Sequence, residues 1–234
     1  MDDTSADALL ALNQPTVYSK LLSYLNLPRD KYNFINLLTV SISEKARLYD
    51  YSLSGAAKNN DILALEWLHT NKHNKDAYYA MNEAAKYGQL EAIKWLHQNR
   101  TEGCTYHAMN WAAESGHLDI IIWLHTNRKE GCTYQAMDYA AKNGHLHVIE
   151  WLHQNRTEGC TRKAMDYAAQ NSHFDIIIWL SENRTEGCSV WAVRLASSNG
   201  NLDIVKWLYE HRPECRNGAS YMFAAAKGGK LEVL

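Results

Sequence analysis

No apolar run in this 234-residue chain approaches the roughly 18 residues that a membrane-spanning helix needs. The start, Met1-Asp2-Asp3, has neither the basic residues nor the apolar stretch of a secretory signal. A basic excess is missing too. The formal net charge is -2, whereas nucleic acid and anionic membrane surfaces are ordinarily met by concentrated positive charge. There is no Cys-x-x-Cys pair, no glycine-rich phosphate loop, no nucleophile motif and no acid pair outside a repeating pattern. These absences exclude membrane, nucleic-acid and small-molecule partners from the expectation, and with them catalysis, a metal and a cofactor. A cytoplasmic or nuclear location is expected.

Hydrophobic residues make up 46% of the chain, an ordinary share for a folded protein. They recur on a beat. Trp67, Trp95, Trp123, Trp151, Trp179 and Trp207 stand 28 residues apart at every step. Gly88, Gly116, Gly144 and Gly200 keep that interval, with Asn60 and Ser172 in the remaining places. A fixed short period is the signature of a stack in which each unit touches only its neighbours. Units begin near Tyr49, Ala77, Thr105, Thr133, Thr161 and Ser189. A seventh, shifted by one residue through Arg212-Pro213-Glu214-Cys215-Arg216, stops at Leu234 before its expected tryptophan.

The unit at Thr105 shows how each is built. The Thr105 hydroxyl is placed to cap a first helix, helix A, that runs to about Ser115, and Gly116 supplies the left-handed residue that ends it. Helix B follows from about His117 to Asn127, and Gly131 helps turn the chain back. Advancing by 100° per residue puts Ala108, Met109, Ala112 and Ala113 on one arc of helix A and His107, Asn110, Trp111 and Glu114 on the other. In helix B, Leu118, Ile120, Ile121, Trp123 and Leu124 cover more than half the circumference. A helix apolar over so wide an arc packs against its own partner and the next unit. The tryptophan ladder is therefore expected in the core.

Cys104, Cys132, Cys160 and Cys188 share the 28-residue interval, and Cys215 follows at 27. Stacked helices lie roughly 8–10 Å apart. A disulfide needs alpha carbons within about 7 Å. Equivalent cysteines are thus expected to stay apart as partly buried thiols in a reducing compartment. The sequons at Asn99, Asn155 and Asn183 read as products of the repeat. Two histidine columns, His69/His97/His125/His153 and His117/His145/His173, read as structural hydrogen-bonding groups rather than metal ligands.

Residues 1–48 lie outside the clear repeat. Helical spacing at Val17, Leu21, Leu22 and Leu25, then at Phe34, Leu37, Leu38 and Ile42, predicts a helical cap over the first unit.

The segment Ala136 to Leu152, with its paired alanines, Gly-His-Leu opening helix B and the hydrophobic run that follows, resembles an ankyrin repeat. The resemblance covers residues 49–234 and is nearest to arrays abundant in amoebae, oomycetes and the giant viruses that infect amoebae. It implies an all-α solenoid of six full repeats plus one truncated repeat, with another protein as partner. Two departures stand out. Ala136-Met137-Asp138 replaces the family's Pro-Leu-His, and the 28-residue period leaves a short loop where a β-hairpin finger usually projects. Residues 21–30 faintly resemble an F-box helix but lack its leading Leu-Pro and later Trp. That resemblance implies an alternative, a substrate-recruiting adaptor of a ubiquitin ligase.

Within a repeat array, positions held constant serve the stack and varying positions are free for a ligand. The columns Tyr79/His107/Gln135/Lys163/Trp191, Glu83/Trp111/Tyr139/Tyr167/Leu195 and Lys86/Glu114/Lys142/Gln170/Ser198 vary from repeat to repeat and map to the solvent arc of helix A. Tyr78, Tyr106, Tyr134, Arg162 and Val190 adjoin them. In the resembled family this arc faces the concave groove. Tyr, Trp, Arg and Lys on a rigid surface are the residues of interface hot spots.

Overall fold

The computed structural model describes residues 52–71 and 76–216. The expectations for residues 1–48, including the cap and the F-box-like helix, and for the truncated seventh repeat beyond residue 216 lie outside these. The described residues form six helix pairs: α1 (Leu53–Lys58) with α2 (Ile62–Thr70), α3 (Ala77–Lys86) with α4 (Leu90–Asn99), and α5 (Tyr106–Ser115) with α6 (Leu118–Asn127). The remaining pairs are α7 (Gln135–Lys142) with α8 (Leu146–Asn155), α9 (Arg162–Gln170) with α10 (Phe174–Asn183), and α11 (Val190–Asn199) with α12 (Leu202–His211). A 3-10 turn, Pro213–Cys215, follows. No strand occurs among the described residues, so the short connections carry no hairpin there.

Local chemistry sets these boundaries. The hydroxyls of Thr105, Thr161 and Ser189 accept from the backbone N–H of His107, Lys163 and Trp191 at 3.2 Å, satisfying free amides of each first turn. Left-handed residues end each odd helix, and they include the two non-glycines, Asn60 at φ 54° and Ser172 at φ 67°. Glycine is required for a second reason at Gly116 (φ 79°): a Cβ there would stand 2.7 Å from the His145 ring of the next repeat.

Odd-numbered helices pack on one another along the stack, because their facing surfaces carry small side chains. Ala108, Ala112 and Ala113 are buried with Met109, and the same positions are buried in α7 and α9. Even-numbered helices bury Ile120, Ile121 and Leu124, or their equivalents, against the odd ones. The tryptophan expectation needs correcting. Trp67, Trp95, Trp123, Trp151, Trp179 and Trp207 are only half-buried, and Leu118 is as well. Alanine-lined contacts leave no room for an indole, so the rings lie at the margin between even helices. There Trp95, Trp123, Trp151 and Trp179 meet a histidine of the preceding repeat edge-on, as Trp123 meets His97 with centroids 5.3 Å apart, while Trp207 meets Phe174.

Asn110 also departs from its expected place on the solvent arc: it is buried. Its Oδ1 accepts from the backbone N–H of Thr133 at 2.9 Å, and its Nδ2 donates to the Thr133 hydroxyl at 2.9 Å. Asn82 binds Thr105 in the same way, while Asp138 and Asp166 bind Thr161 and Ser189. Each bond joins one odd helix to the cap of the next. Buried polar groups persist only when paired in this manner.

Candidate protein-binding face

The solvent-facing side of the odd helices borders this bonding, and every predicted binding residue lies on it or at a helix start. Tyr79, Tyr106, Tyr134, Arg162, Lys163 and Trp191 are exposed. Lys86, His107, Trp111, Glu114, Gln135, Tyr139, Lys142, Tyr167, Gln170 and Ser198 are half-exposed. None is buried. Tyr79 keeps 51% of its surface, Trp191 50% and Tyr134 48%, so these rings are not held in the core.

Several are held in place by each other. His107 stacks on Trp111 with centroids 5.1 Å apart, and Lys86 of the preceding repeat lies 5.4 Å from the same indole. Lys142 stands 5.8 Å over Tyr167, and Arg194 stands 4.6 Å over Trp191. Such contacts contribute only about 0.5–1 kcal/mol at exposed sites. Their effect is to fix the cations against aromatic faces ahead of any encounter. Trp111 and Tyr167 thus each meet a cation of the preceding repeat at the surface. Lys58, Tyr87 and Arg194 share the face and were not among the predicted residues. Lys58 sits 4.4 Å over the Tyr87 ring. Arg194 holds the column position of Asn110 and Asp138, and its switch from a paired to a charged side chain was the available signal.

The repeated columns, by contrast, bridge neighbouring repeats. Arg128 pairs with Glu130 while its Nη1 lies 3.3 Å from His97 Nδ1, so that nitrogen accepts. Arg100, Arg156 and Arg184 do the same with His69, His125 and His153. The guanidiniums of Arg128, Arg156 and Arg184 lie over the previous loop: a Cβ on Gly131 would stand 2.7 Å from Arg156. The sequon asparagines donate Nδ2 to a tryptophan carbonyl one turn back, as Asn155 does to Trp151 at 2.8 Å. Both histidine columns belong to this framework, since His117, His145 and His173 cover the preceding helix-ending glycines.

Burial pushes the thiols of Cys104 and Cys132 up to about 11 and that of Cys160 to about 12, with the neighbouring glutamates adding to it. They are poor nucleophiles at neutral pH. The fourth and fifth cysteines depart from the expectation. Cys188 and Cys215 form a disulfide with alpha carbons 6.0 Å apart. The cause is the shortened last interval: Pro213 opens a 3-10 turn, Cys215 follows Glu214 directly, and the loop draws in toward Cys188. Arg212 then gives up the place held by Arg184 one repeat earlier and donates to the Ser181 carbonyl at 2.9 Å. Among the described residues Cys188, Glu214 and Cys215 are the only donors that converge as a metal site would require, and the disulfide occupies both sulfurs.

Comparison with known proteins agrees with this architecture. A family profile for ankyrin repeats (3 copies) matches residues 53–138, and one for ankyrin repeats (many copies) matches residues 137–180. Together they span more than half of the chain. The chain belongs to the ankyrin repeat family. Among solved structures, the crystal structure of the human ASB11 ankyrin repeat domain aligns with a TM-score of 0.52 at 18% identity, covering 75% of this chain and 96% of that one. At that identity the likeness is one of fold. No curated protein matches the sequence. Ankyrin repeats generally mediate protein–protein interaction, and no described helix of this array is long and apolar enough to cross a membrane.

Proposed function

We propose that the array is a non-catalytic scaffold of the cytoplasm or nucleus that binds a partner protein on the exposed face of its odd-numbered helices, the concave side of the family fold. One observation carries this reading: the partition of roles between columns. Positions that repeat with little change are spent on inter-repeat contacts, namely Arg with His, His against Trp, and Asn or Asp with Thr or Ser. Positions that change from repeat to repeat, such as Tyr79/His107/Gln135/Lys163/Trp191, present aromatic and charged groups to solvent. A scaffold that only stacked would have no reason to vary one face so widely. Rigid, half-exposed Tyr and Trp side chains also give up little conformational entropy when a partner covers them.

Photo-crosslinking amino acids at Tyr134 and Trp191, compared with the same group at Ile122 on the even-helix face, test the assignment in extract from the native source. Specific adducts are expected from the first two positions. Adducts confined to Ile122 would refute it.

A further inference from the structure

Charge is sorted between the two faces of the array. On the exposed odd-helix face the basic residues are Lys58, Lys86, Lys142, Arg162, Lys163 and Arg194, against Asp76, Glu83 and Glu114, all three of them before α7. The even helices carry the opposite balance: Glu66, Glu91, Asp119, Glu150, Asp175, Glu182, Asp203 and Glu210 stand among only two basic residues, Lys94 and Lys206. A chain of net charge -2 therefore turns a positive surface to one side.

Helix dipoles explain part of this. Lys58, Lys86 and Lys142 fall in last turns, where a cation is favoured. They do not explain Arg162 and Lys163, which occupy the first turn of α9, where a cation is disfavoured. Those two do lie in the field of the buried Asp166 and Asp138 and offset it. Arg194 has neither excuse. It is exposed in mid-helix, on a helix with no acidic residue, stacked on the exposed Trp191. From α7 to α11 the face thus carries Lys142, Arg162, Lys163 and Arg194 among Tyr134, Tyr167 and Trp191, with no exposed acid.

Resting on the proposed binding face, we infer that α7, α9 and α11 take an acidic, extended segment of the partner protein. Neighbouring helices stand roughly 8–10 Å apart. An extended chain in the polyproline II conformation advances about 3.1 Å per residue and brings every third side chain back to the same side. One repeat therefore matches about three residues of ligand, and carboxylates at every third position meet successive rungs of the basic strip. Apolar or aromatic residues between them meet Tyr134, Tyr167 and Trp191. The acidic even-helix face and the negative net charge disfavour a polyanionic nucleic acid, whose long-range field would oppose approach.

The test is selection of a random dodecapeptide phage library on the full chain, followed by affinity measurement of the recovered peptides. The expected pool is enriched in Asp and Glu at three-residue spacing. Lys142→Glu with Arg194→Glu should weaken its binding by about tenfold or more, and increasingly so at low salt. Circular dichroism checks the fold, and Lys142→Gln with Arg194→Gln replaces the reversal if that variant fails to fold. A pool without acidic enrichment that Trp191→Ala still abolishes overturns the acidic ligand and leaves the binding face standing. A pool indifferent to every odd-helix variant overturns both. Displacement of the peptides by oligothymidylate at equal concentration also overturns the inference.

Discussion

Both carboxylate oxygens of Asp138 are engaged by Thr161, one residue of the next repeat: Oδ1 accepts its backbone N–H at 2.8 Å and Oδ2 its hydroxyl at 2.7 Å. The same hydroxyl accepts from Lys163 and so caps α9. One side chain therefore couples the burial of α7 to the start of the following helix. Stability in such arrays is a sum of repeat and nearest-neighbour terms, and this contact is one of the latter.

Asp138→Ala should destabilise the array by about 2–3 kcal/mol, because it strands a backbone N–H that the partner helix covers. Asp138→Asn should be far milder, below about 1 kcal/mol, since Asn82 and Asn110 already make the contact with their Nδ2 donating to the threonine hydroxyl. Urea denaturation followed by circular dichroism separates the two. Equal losses would show that the charge, and not the paired geometry, matters.

Acidification should move these carboxyls in the direction opposite to the surface glutamates. Burial holds Asp138 and Asp166 above their ordinary value of 3.8, with bonds from Thr161 and Ser189 opposing it in part. The folded chain keeps those protons longer than the unfolded one. Stability from this source is therefore gained as pH falls through the raised pKa and is complete below 3.8. Glu102 is held below 4.5 by its bond from Arg100. For Glu130, Glu158 and Glu186 burial pushes upward, but bonds from Arg128, Arg156 and Arg184 together with backbone amides outweigh it. Their contribution is present above 4.5 and lost as pH falls through the lowered pKa. The stability of Asp138→Asn/Asp166→Asn relative to the parent chain should thus be highest near about pH 7 and fall toward about pH 4. A difference that stays constant across that range would show that burial does not penalise these charges.

How far the residues alone reveal this structure depends on whether the deciding contact is local. Thr105 as a cap and Gly116 as a helix end were legible because a few neighbouring residues settle them, and the repeat interval set Asn60 and Ser172 in the places of such glycines, where both prove left-handed. The solvent arc of helix A was legible too, except at Asn110. A helical wheel of one unit sorts polar from apolar and has no place for a partner 23 residues onward. The recurrence of Asn82, Asn110, Asp138 and Asp166, each 23 residues before a Thr or Ser, was the overlooked signal. Tryptophan misled through its size: an apolar residue on a wide stripe reads as core, yet contacts built on alanine exclude it. The Cys188–Cys215 bridge was hidden because stack spacing is an average, and one deleted residue with a proline changes it locally.

The half-buried tryptophans call for a moderate penalty. Trp123→Ala removes the edge contact to His97 and part of an apolar surface, and should destabilise by about 1.5–3 kcal/mol, less than the roughly 3–5 kcal/mol of a fully buried aromatic. Trp111→Ala with Tyr139→Ala should leave the thermal midpoint nearly unchanged and weaken partner binding. Differential scanning calorimetry beside a binding assay reads both effects. If the second variant unfolds, those rings belong to the stack and the binding face loses its centre.

The bridge between Cys188 and Cys215 closes a loop over α11 and α12, with a sequence separation of 27 residues. Cross-linking a loop of that size restricts the unfolded chain and should stabilise the α11–α12 repeat by about 3 kcal/mol relative to the dithiol. Purified protein equilibrated with glutathione disulfide should show Cys188 and Cys215 protected from alkylation, and Cys104, Cys132 and Cys160 unpaired, by peptide mass spectrometry. Reductant should lower the thermal midpoint of the parent chain but not of Cys215→Ser, whereas Cys104→Ser should behave as the parent does. The dependence on reductant follows from position as well as bond strength. The disulfide takes over where the arginine ladder stops, since Arg212 turns to Ser181 instead of covering Gly187. A parent chain indifferent to reductant would show that the remaining contacts of α12 already hold the α11–α12 pair.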